Sequence, residues 1–143
     1  MATILNPYIS FRGEARAALE FYQSVFGGEL DLRPFADFDF AKTDNPADDA
    51  KIMHGHLRGL NGLNIMAADT PESMEWKGGS AISITLSGED KDELQGYWDK
   101  LSEGAAIGQP LAQAPWGDWF GMLSDKFGID WMVNIAGAPS AGA

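Results

Sequence analysis

An internal repeat is the feature of this sequence that most constrains its fold. At an offset of 75 residues, a strand-turn-helix unit recurs, and the matched pairs are Phe11 with Leu86, Gly13 with Gly88, Glu14 with Glu89, Leu19 with Leu94, and Tyr22 with Tyr97. Farther along, Gly62 corresponds to Gly128 and Ile65 to Trp131. Because any strand-to-helix junction with a buried stripe gives some such matches, the order of the elements has to support the repeat.

The first half has the periodicities of one strand, one helix and three further strands. An apolar stripe of period 3.6 predicts the helix, and alternating runs predict the strands. The predicted elements are a strand over 4–11, a helix over 13–26, a strand over 29–35, and a hairpin of 51–59 and 62–68. The segment 35–50 has no clean period and is expected to be a long irregular loop.

The second half begins with the same order. A strand is predicted over 80–86, and residues 87–90 open a helix that ends at Gly104. The apolar stripe of this helix is Leu94, Tyr97, Trp98 and Leu101. A loop with Pro110 and Pro115 is expected next, followed by a hairpin of 119–124 and 129–135.

This repeated β-α-β-β-β order predicts the fold class and the domain layout. We expect an α+β fold in which two modules form a curved, cup-like mixed sheet with a ligand cavity between the halves. The 143 residues, of which 45% are hydrophobic, suit a single domain. The predicted parts are a domain over 1–137, made of modules 1–69 and 80–137 with a connector at 70–79, and a flexible tail at 138–143.

The composition restricts the partners. Lys and Arg number 10 against 21 Asp and Glu, and the net charge of −11 disfavours binding to nucleic acid or to an anionic membrane. This acidity indicates a well-solvated surface, and the alternative is that it attracts a cationic ligand. The sequence has no cysteine, so it has neither disulfides nor thiolate metal sites. No basic leader or long apolar run is present, and a cytoplasmic location is expected.

Several motifs carry a resemblance to a known family. They are PYISFRG at 7–13, AALEFY at 17–22, VFGGE at 25–29, IMHGHL at 52–57, IMAAD at 65–69, WFG at 119–121 and DKFGIDW at 125–131. In order and spacing they resemble PhnB-like members of the vicinal-oxygen-chelate superfamily, which includes glyoxalase and bleomycin-resistance proteins. The resemblance implies a cup-shaped fold, in which the metalloenzymes of the superfamily hold a divalent ion with His or Glu side chains at four positions.

Those four positions are poorly supplied with ligands in this chain. The resemblance places the first near Pro7 or Tyr8, the second at His56 or His54, the third near Ser80 or Ala81, and the fourth near Met132. A catalytic divalent site generally needs three protein ligands, so we expect no metal and no other cofactor. The alternative is a divalent metal involving His56, with further ligands supplied by a second chain.

Candidate site residues follow from the pattern and the resemblance. His54 and His56 lie on one strand face and are the candidate catalytic residues, as metal ligands or as a general base. Aromatic side chains on a curved sheet suit a planar or cationic guest. The candidate ligand-binding residues are Tyr8, Arg58, Trp119, Trp131 and Asn134. Alternation puts Asn134 and Trp131 on opposite faces of the last strand, and either face is a candidate for the inward one.

Two functions of different class fit these expectations. The first is a metal-independent protein that binds a small planar or cationic molecule, and the second is a metal-dependent lyase, isomerase or dioxygenase of a small oxygenated substrate. Relatives carry the name demethylubiquinone methyltransferase, but nothing in the sequence resembles a Gly-rich methyl-donor site, so that activity is not expected. A homodimer is expected from the resemblance and from sheet edges that a second chain can complete.

Overall fold

The computed structural model describes residues 5–37, 49–71 and 82–137. The chain divides into two compact units, Met1–Gly78 and Gly79–Ala143, and their boundary lies in the predicted connector. Most of that connector, most of the predicted loop at 35–50 and the whole tail at 138–143 lie outside the described residues. None of the helices in the described part is long and apolar enough to cross a lipid bilayer.

In its described residues, the first unit has a long α-helix and a four-stranded mixed sheet, with short 3-10 helices at Phe35–Asp37 and Leu60–Gly62. Its elements are β1 (Tyr8–Phe11), α1 (Ala15–Phe26), β2 (Glu29–Pro34), β3 (Ile52–Arg58) and β4 (Asn64–Asp69). The strand order is β1-β4-β3-β2, with β1 parallel to β4 and the other pairs antiparallel. Helix α1 connects β1 to β2, which are the two edge strands of this sheet.

The second unit repeats this topology. Its elements are β5 (Ile84–Gly88), α2 (Lys91–Leu101), β6 (Ala106–Gln113), β7 (Trp119–Ser124) and β8 (Asp130–Ile135). The strand order is β5-β8-β7-β6, again with one parallel pair, β5 and β8. The predicted α+β class and the repeated β-α-β-β-β order are therefore confirmed. The predicted cup between the halves stays a prediction.

Each helix covers one face of its own sheet, and a glycine on that sheet permits the close approach. In the first unit, a Cβ added to Gly55 would lie 2.3 Å from Leu19 Cδ1 of α1. In the second unit, a Cβ added to Gly121 would lie 2.8 Å from the ring of Trp98 of α2. Side chains that share these faces, such as Leu57, form the core. The opposite face of each sheet is not covered by its helix.

The structure corrects the prediction for Pro110. The sequence predicted a loop there, but Pro110 lies within β6. Proline lacks the N–H that a central strand needs, and β6 tolerates it because it is an edge strand with register shifts at Ile107/Gln109 and Gln109/Ala112.

Helix α2 differs from its prediction in two ways. It ends at Leu101 rather than at Gly104, and the hydroxyl of Ser102 donates to Trp98 O at 2.6 Å. Tyr97 is only half-buried, and its hydroxyl donates to Glu93 Oε1 at 2.8 Å. The other three members of the predicted stripe are buried. The same carboxylate and burial together raise the pKa of Tyr97 to about 12, burial being the larger cause.

Two strands begin later than predicted. The strand predicted from residue 4 begins at Tyr8, after Pro7, and the one predicted from residue 80 begins at Ile84. Pro7 explains why the first strand begins only at Tyr8, because the fixed φ of proline and its missing N–H disfavour hydrogen bonding within a sheet.

A buried carboxylate, Asp69, forms hydrogen bonds with two other segments of the first unit. Asp69 at the end of β4 is 5% exposed. Its Oδ1 accepts hydrogen bonds from the N–H groups of Gly13 and Ala15, at 2.8 and 2.9 Å, and its Oδ2 accepts one from the N–H of Ile52 at 3.0 Å. One side chain thus connects the start of α1, the start of β3 and the end of β4. Hydrogen bonds to a charged acceptor are the stronger kind.

We predict that Asp69→Ala lowers the free energy of unfolding by about 3 kcal/mol, because it leaves two buried N–H donors and one partly buried N–H donor without an acceptor. Asp69→Asn keeps one carboxyl-type oxygen and should lose less. The exposed Glu20→Ala is the control and should change stability by less than about 0.5 kcal/mol. Urea denaturation monitored by circular dichroism measures all three, and equal midpoints for Asp69→Ala and Glu20→Ala would contradict the role of Asp69.

Candidate functional site

The open face of the first sheet, opposite α1, carries the two histidines. Gly55 and Leu57 of β3 face the helix, so His54 and His56 point to the other side. Register brings side chains of the three neighbouring strands to the same side. We call this surface the histidine face, and its residues are Tyr8, Asp31, Arg33, His54, His56, Asn64 and Met66.

Three rings lie in a row on the histidine face. The ring centroids of Tyr8 and His54 are 6.2 Å apart, and those of His54 and His56 are 6.5 Å apart. The Tyr8 side chain remains 53% exposed. Its partial burial raises the pKa of the hydroxyl, which therefore keeps its proton near neutral pH and is available as a hydrogen-bond donor. Three residues predicted from the sequence are thus brought together.

Asn64 fixes the orientation of His56. The Asn64 side chain donates from Nδ2 to Gly62 O at 3.0 Å, which leaves Oδ1 directed at His56 Nε2, also at 3.0 Å. Since Oδ1 is only an acceptor, His56 Nε2 must carry the proton in this pair. In the neutral ring Nδ1 is then the nitrogen with the free lone pair, and it can accept a proton or a hydrogen bond from a ligand.

Charged side chains flank the histidines. In the register of β2 with β3, Asp31 lies opposite His56 and Arg33 lies opposite His54. Arg33 Nε is 3.2 Å from Asp31 Oδ1, and both side chains are largely exposed. Arg58, another predicted ligand-binding residue, ends β3 on the same side and is exposed. The histidine face therefore carries both positively and negatively charged side chains, which can donate or accept hydrogen bonds.

The donor set of the described residues does not fit a catalytic divalent metal. Among residues 5–37, 49–71 and 82–137, no group of three His, Cys, Asp or Glu side chains is close enough to hold an ion. His54 and His56 give two nitrogen-bearing rings, and Nε2 of His56 already contacts Asn64. A catalytic site generally takes three protein ligands. The predicted third position, near Ser80 or Ala81, lies outside the described residues.

The predicted residues of the second unit lie on two different faces. Trp131 is 1% exposed on the α2 side, where its Nε1 donates to Asp125 Oδ2 at 2.9 Å. Trp119 lies on that side as well, with Lys91 Nζ 3.8 Å from its ring centroid. Asn134 alternates with Trp131 and lies on the open side. The structure therefore does not bring the two tryptophans together with Asn134.

Sequence reasoning missed Asn64, Asp31 and Arg33. Asn64 was within reach, because the hairpin of β3 and β4 was predicted and the alternation of β4 places Asn64 on the histidine side. Asp31 and Arg33 were not, because the pairing of β2 with β3 spans the segment predicted as an irregular loop. No local pattern gives the register across such a segment.

Comparison with known proteins agrees on one family. The model of the 3-demethylubiquinone-9 3-methyltransferase family matches residues 3–134. Protein PA1353 from Pseudomonas aeruginosa has a crystal structure that superposes with a TM-score of 0.78 at 33% identity, covering 94% of this chain and 98% of that one. The PhnB protein from Bacillus cereus superposes with a TM-score of 0.73 at 26% identity, covering 94% and 100%.

A more distant neighbour relates the fold to a larger group. A glyoxylase/bleomycin resistance protein/dioxygenase domain from Frankia sp. EAN1pec superposes with a TM-score of 0.64 at 15% identity, covering 96% of this chain and 99% of that one. At this identity the likeness is one of fold. The fold and the PhnB-like resemblance predicted from the sequence motifs are both confirmed.

We predict that neutral His56 carries its proton on Nε2, and that Asn64→Leu removes this preference, because the acceptor that selects the tautomer is lost. Long-range ¹H–¹⁵N correlation spectra of the imidazole nitrogens report the tautomer directly. Asn134→Leu makes the same replacement on the second sheet and should leave the His56 signals unchanged. A wild-type ring protonated on Nδ1, or an unchanged spectrum in Asn64→Leu, would contradict the proposed orientation.

Proposed function

The chain belongs to the PhnB-like 3-demethylubiquinone-9 3-methyltransferase family, and from that premise we propose that it binds a small planar organic molecule on the histidine face without a catalytic metal. The row of Tyr8, His54 and His56 rings is the observation that carries the proposal. Such a row provides an aromatic edge and fixed polar groups on a sheet surface that its own helix leaves open. Both features are typical of small-molecule sites.

The polar groups define the chemistry of the ligand. His56 Nδ1 is an acceptor in the neutral ring, and the Tyr8 hydroxyl is a donor. A planar heteroaromatic or phenolic molecule with an N–H or O–H group and a ring or carbonyl acceptor would satisfy both. The net charge of −11 favours a neutral or cationic molecule over an anionic one. We also propose a cytoplasmic homodimer, as the sheet edges and the family resemblance suggest.

A metal-dependent lyase, isomerase or dioxygenase is the second candidate, favoured by the adjacent His54 and His56. It would require a partner chain to supply the remaining ligands. It would also require His56 to release Asn64 or to coordinate through Nδ1. Methyl transfer, which the family name describes, would require a site for a methyl donor. Each of these activities requires a different ligand, so a single binding experiment with several ligands can distinguish them.

We predict that a thermal-shift screen of planar heteroaromatic and phenolic compounds finds ligands that raise the Tm. A ligand at 100 times its Kd stabilises the folded state by about 2.7 kcal/mol, which is about 10 °C for a chain of this size. Tyr8→Phe and His56→Ala should reduce the shift, because they remove the donor and the acceptor. Tyr97→Phe is the matched control, since Tyr97 belongs to the second unit and its hydroxyl is hydrogen-bonded to Glu93.

The same screen separates the alternatives. Stabilisation by Zn²⁺ or Mn²⁺ alone that is lost in His56→Ala would favour the metalloenzyme, and stabilisation by S-adenosylmethionine would favour methyl transfer. A shift that Tyr8→Phe, His54→Ala and His56→Ala all leave intact would refute the histidine face as the site. Light scattering of the unliganded protein tests the dimer, and a monomer at all concentrations would remove that part of the proposal.

A further inference from the structure

The second unit contains a cavity of about 280 Å³ that the proposed function does not use. It lies at one end of the sheet, on strands β6, β7 and β8 and beside the residue that precedes β5. Its lining residues are Ser83, Ala106, Ile107, Gly108, Met122, Leu123, Ser124, Asp130 and Trp131. We call it the Asp130 cavity. Trp131, a residue predicted to contact a ligand, contributes to this lining although it is 1% exposed.

Strand register places the polar groups of the cavity in one row. Ser124 pairs with Asp130 across β7 and β8, and Ala106 pairs with Ser124 across β6 and β7. Asp130 and Ser124 alternate with the buried Trp131 and Leu123, so they lie on the side away from α2. The row therefore belongs to the open face of the second sheet.

The cavity combines apolar walls with one carboxylate. Met122 shares the side of Ser124 and Asp130 and is 39% exposed, so it has surface available for an apolar ligand. Ala106 pairs with Ser124 on the same side, whereas Ile107 pairs with the buried Leu123 and its side chain points to the other side. Asp130 accepts a hydrogen bond from the Ser124 hydroxyl. Across the three described stretches of the chain, no Lys, Arg or His forms an ion pair with Asp130. The carboxylate thus retains acceptor capacity and an uncompensated negative charge beside an apolar surface.

We infer that the Asp130 cavity binds a small organic cation, with a protonated amine at Asp130 and a short apolar body against Ala106 and Met122. The volume equals that of about nine water molecules at roughly 30 Å³ each, which admits a ligand of up to about ten non-hydrogen atoms. An ammonium group donates charge-assisted hydrogen bonds to a carboxylate, and the thioether of Met122 is a soft, adaptable contact. The net charge of −11 raises the local concentration of cations and disfavours anions.

This inference does not rest on the proposed function. All lining residues of the Asp130 cavity lie in the second unit, whereas the histidine face lies in the first. Variants of one site leave the side chains of the other unchanged. The failure of either proposal is therefore visible without the failure of the other.

Benzylamine, which is protonated at neutral pH and has eight non-hydrogen atoms, is the probe for the test. Titration followed by calorimetry and by ¹H–¹⁵N spectra should show binding, with the largest amide shifts at Ile107, Met122 and Ser124. Benzyl alcohol has the same shape without the charge and should bind at least tenfold more weakly, and benzoate should not bind. Addition of 0.5 M NaCl should weaken benzylamine binding.

Two variants decide the assignment. Asp130→Asn keeps the shape of the side chain and removes its charge, so the affinity for benzylamine should fall at least tenfold. Asp99→Asn makes the same charge change on the exposed side of α2 and should leave the affinity unchanged. Ala106→Phe fills the cavity without a charge change and should abolish binding. Thermal melts of each variant verify that the unit is folded.

Several outcomes would overturn the inference. They are no binding of benzylamine, equal binding of benzylamine and benzyl alcohol, and equal affinities in Asp130→Asn and Asp99→Asn. A loss of benzylamine affinity in the His54→Ala, His56→Ala double variant but not in Asp130→Asn would move the cation to the histidine face and refute the cavity as its site.

Discussion

The close approach of one helix to one face of each sheet is the constraint on which the rest of the structure depends. It is made at Gly55 beneath Leu19 and at Gly121 beneath Trp98, where any Cβ would collide with the helix side chain. These glycines are 121 − 55 = 66 residues apart, the same spacing as Gly62 and Gly128. The strands and helices repeat at 75 and the hairpins at 66, so the second half has nine fewer residues between helix and hairpin. This change of offset explains why the hairpins match weakly when one offset is imposed.

The same constraint determines what each sheet exposes. Because side chains alternate along a strand, the neighbours of a helix-facing glycine must point to the open side. His54 and His56 flank Gly55, and Met122 follows Gly121. The histidine face and the wall of the Asp130 cavity are therefore equivalent surfaces of the two repeats. The two units pack their helices on the same side of the sheet, while the open sides carry different chemistry, two imidazoles in the first unit and the Asp130 carboxylate in the second.

The sequence was sufficient for features with a local cause. The stripe of α1, the bounds of β7 and the shared face of His54 and His56 follow from periodicity, and the structure agrees with each. The sequence was insufficient for features that depend on tertiary contacts, such as which face of a strand is buried. Alternation separated Trp131 from Asn134, but only the position of α2 shows that the tryptophan side is the buried one. Likewise, Pro110 by itself predicts a loop. A strand can include this proline because β6 is at the edge of its sheet, where a missing N–H is tolerated.

The contact between His56 and Asn64 determines which nitrogen of this histidine is open to a metal ion. A metal ion and an amide oxygen require different protonation states of a histidine nitrogen. The ion binds a nitrogen without a proton, whereas the amide oxygen accepts a hydrogen bond from a nitrogen that carries one. Here Gly62 O holds the Asn64 amide so that its oxygen faces Nε2. Binding of an ion at Nε2 would have to break this pair, and His54 is the one other histidine in the sequence. The two hydrogen bonds of Asn64 therefore keep a polar imidazole in a fixed orientation on the histidine face.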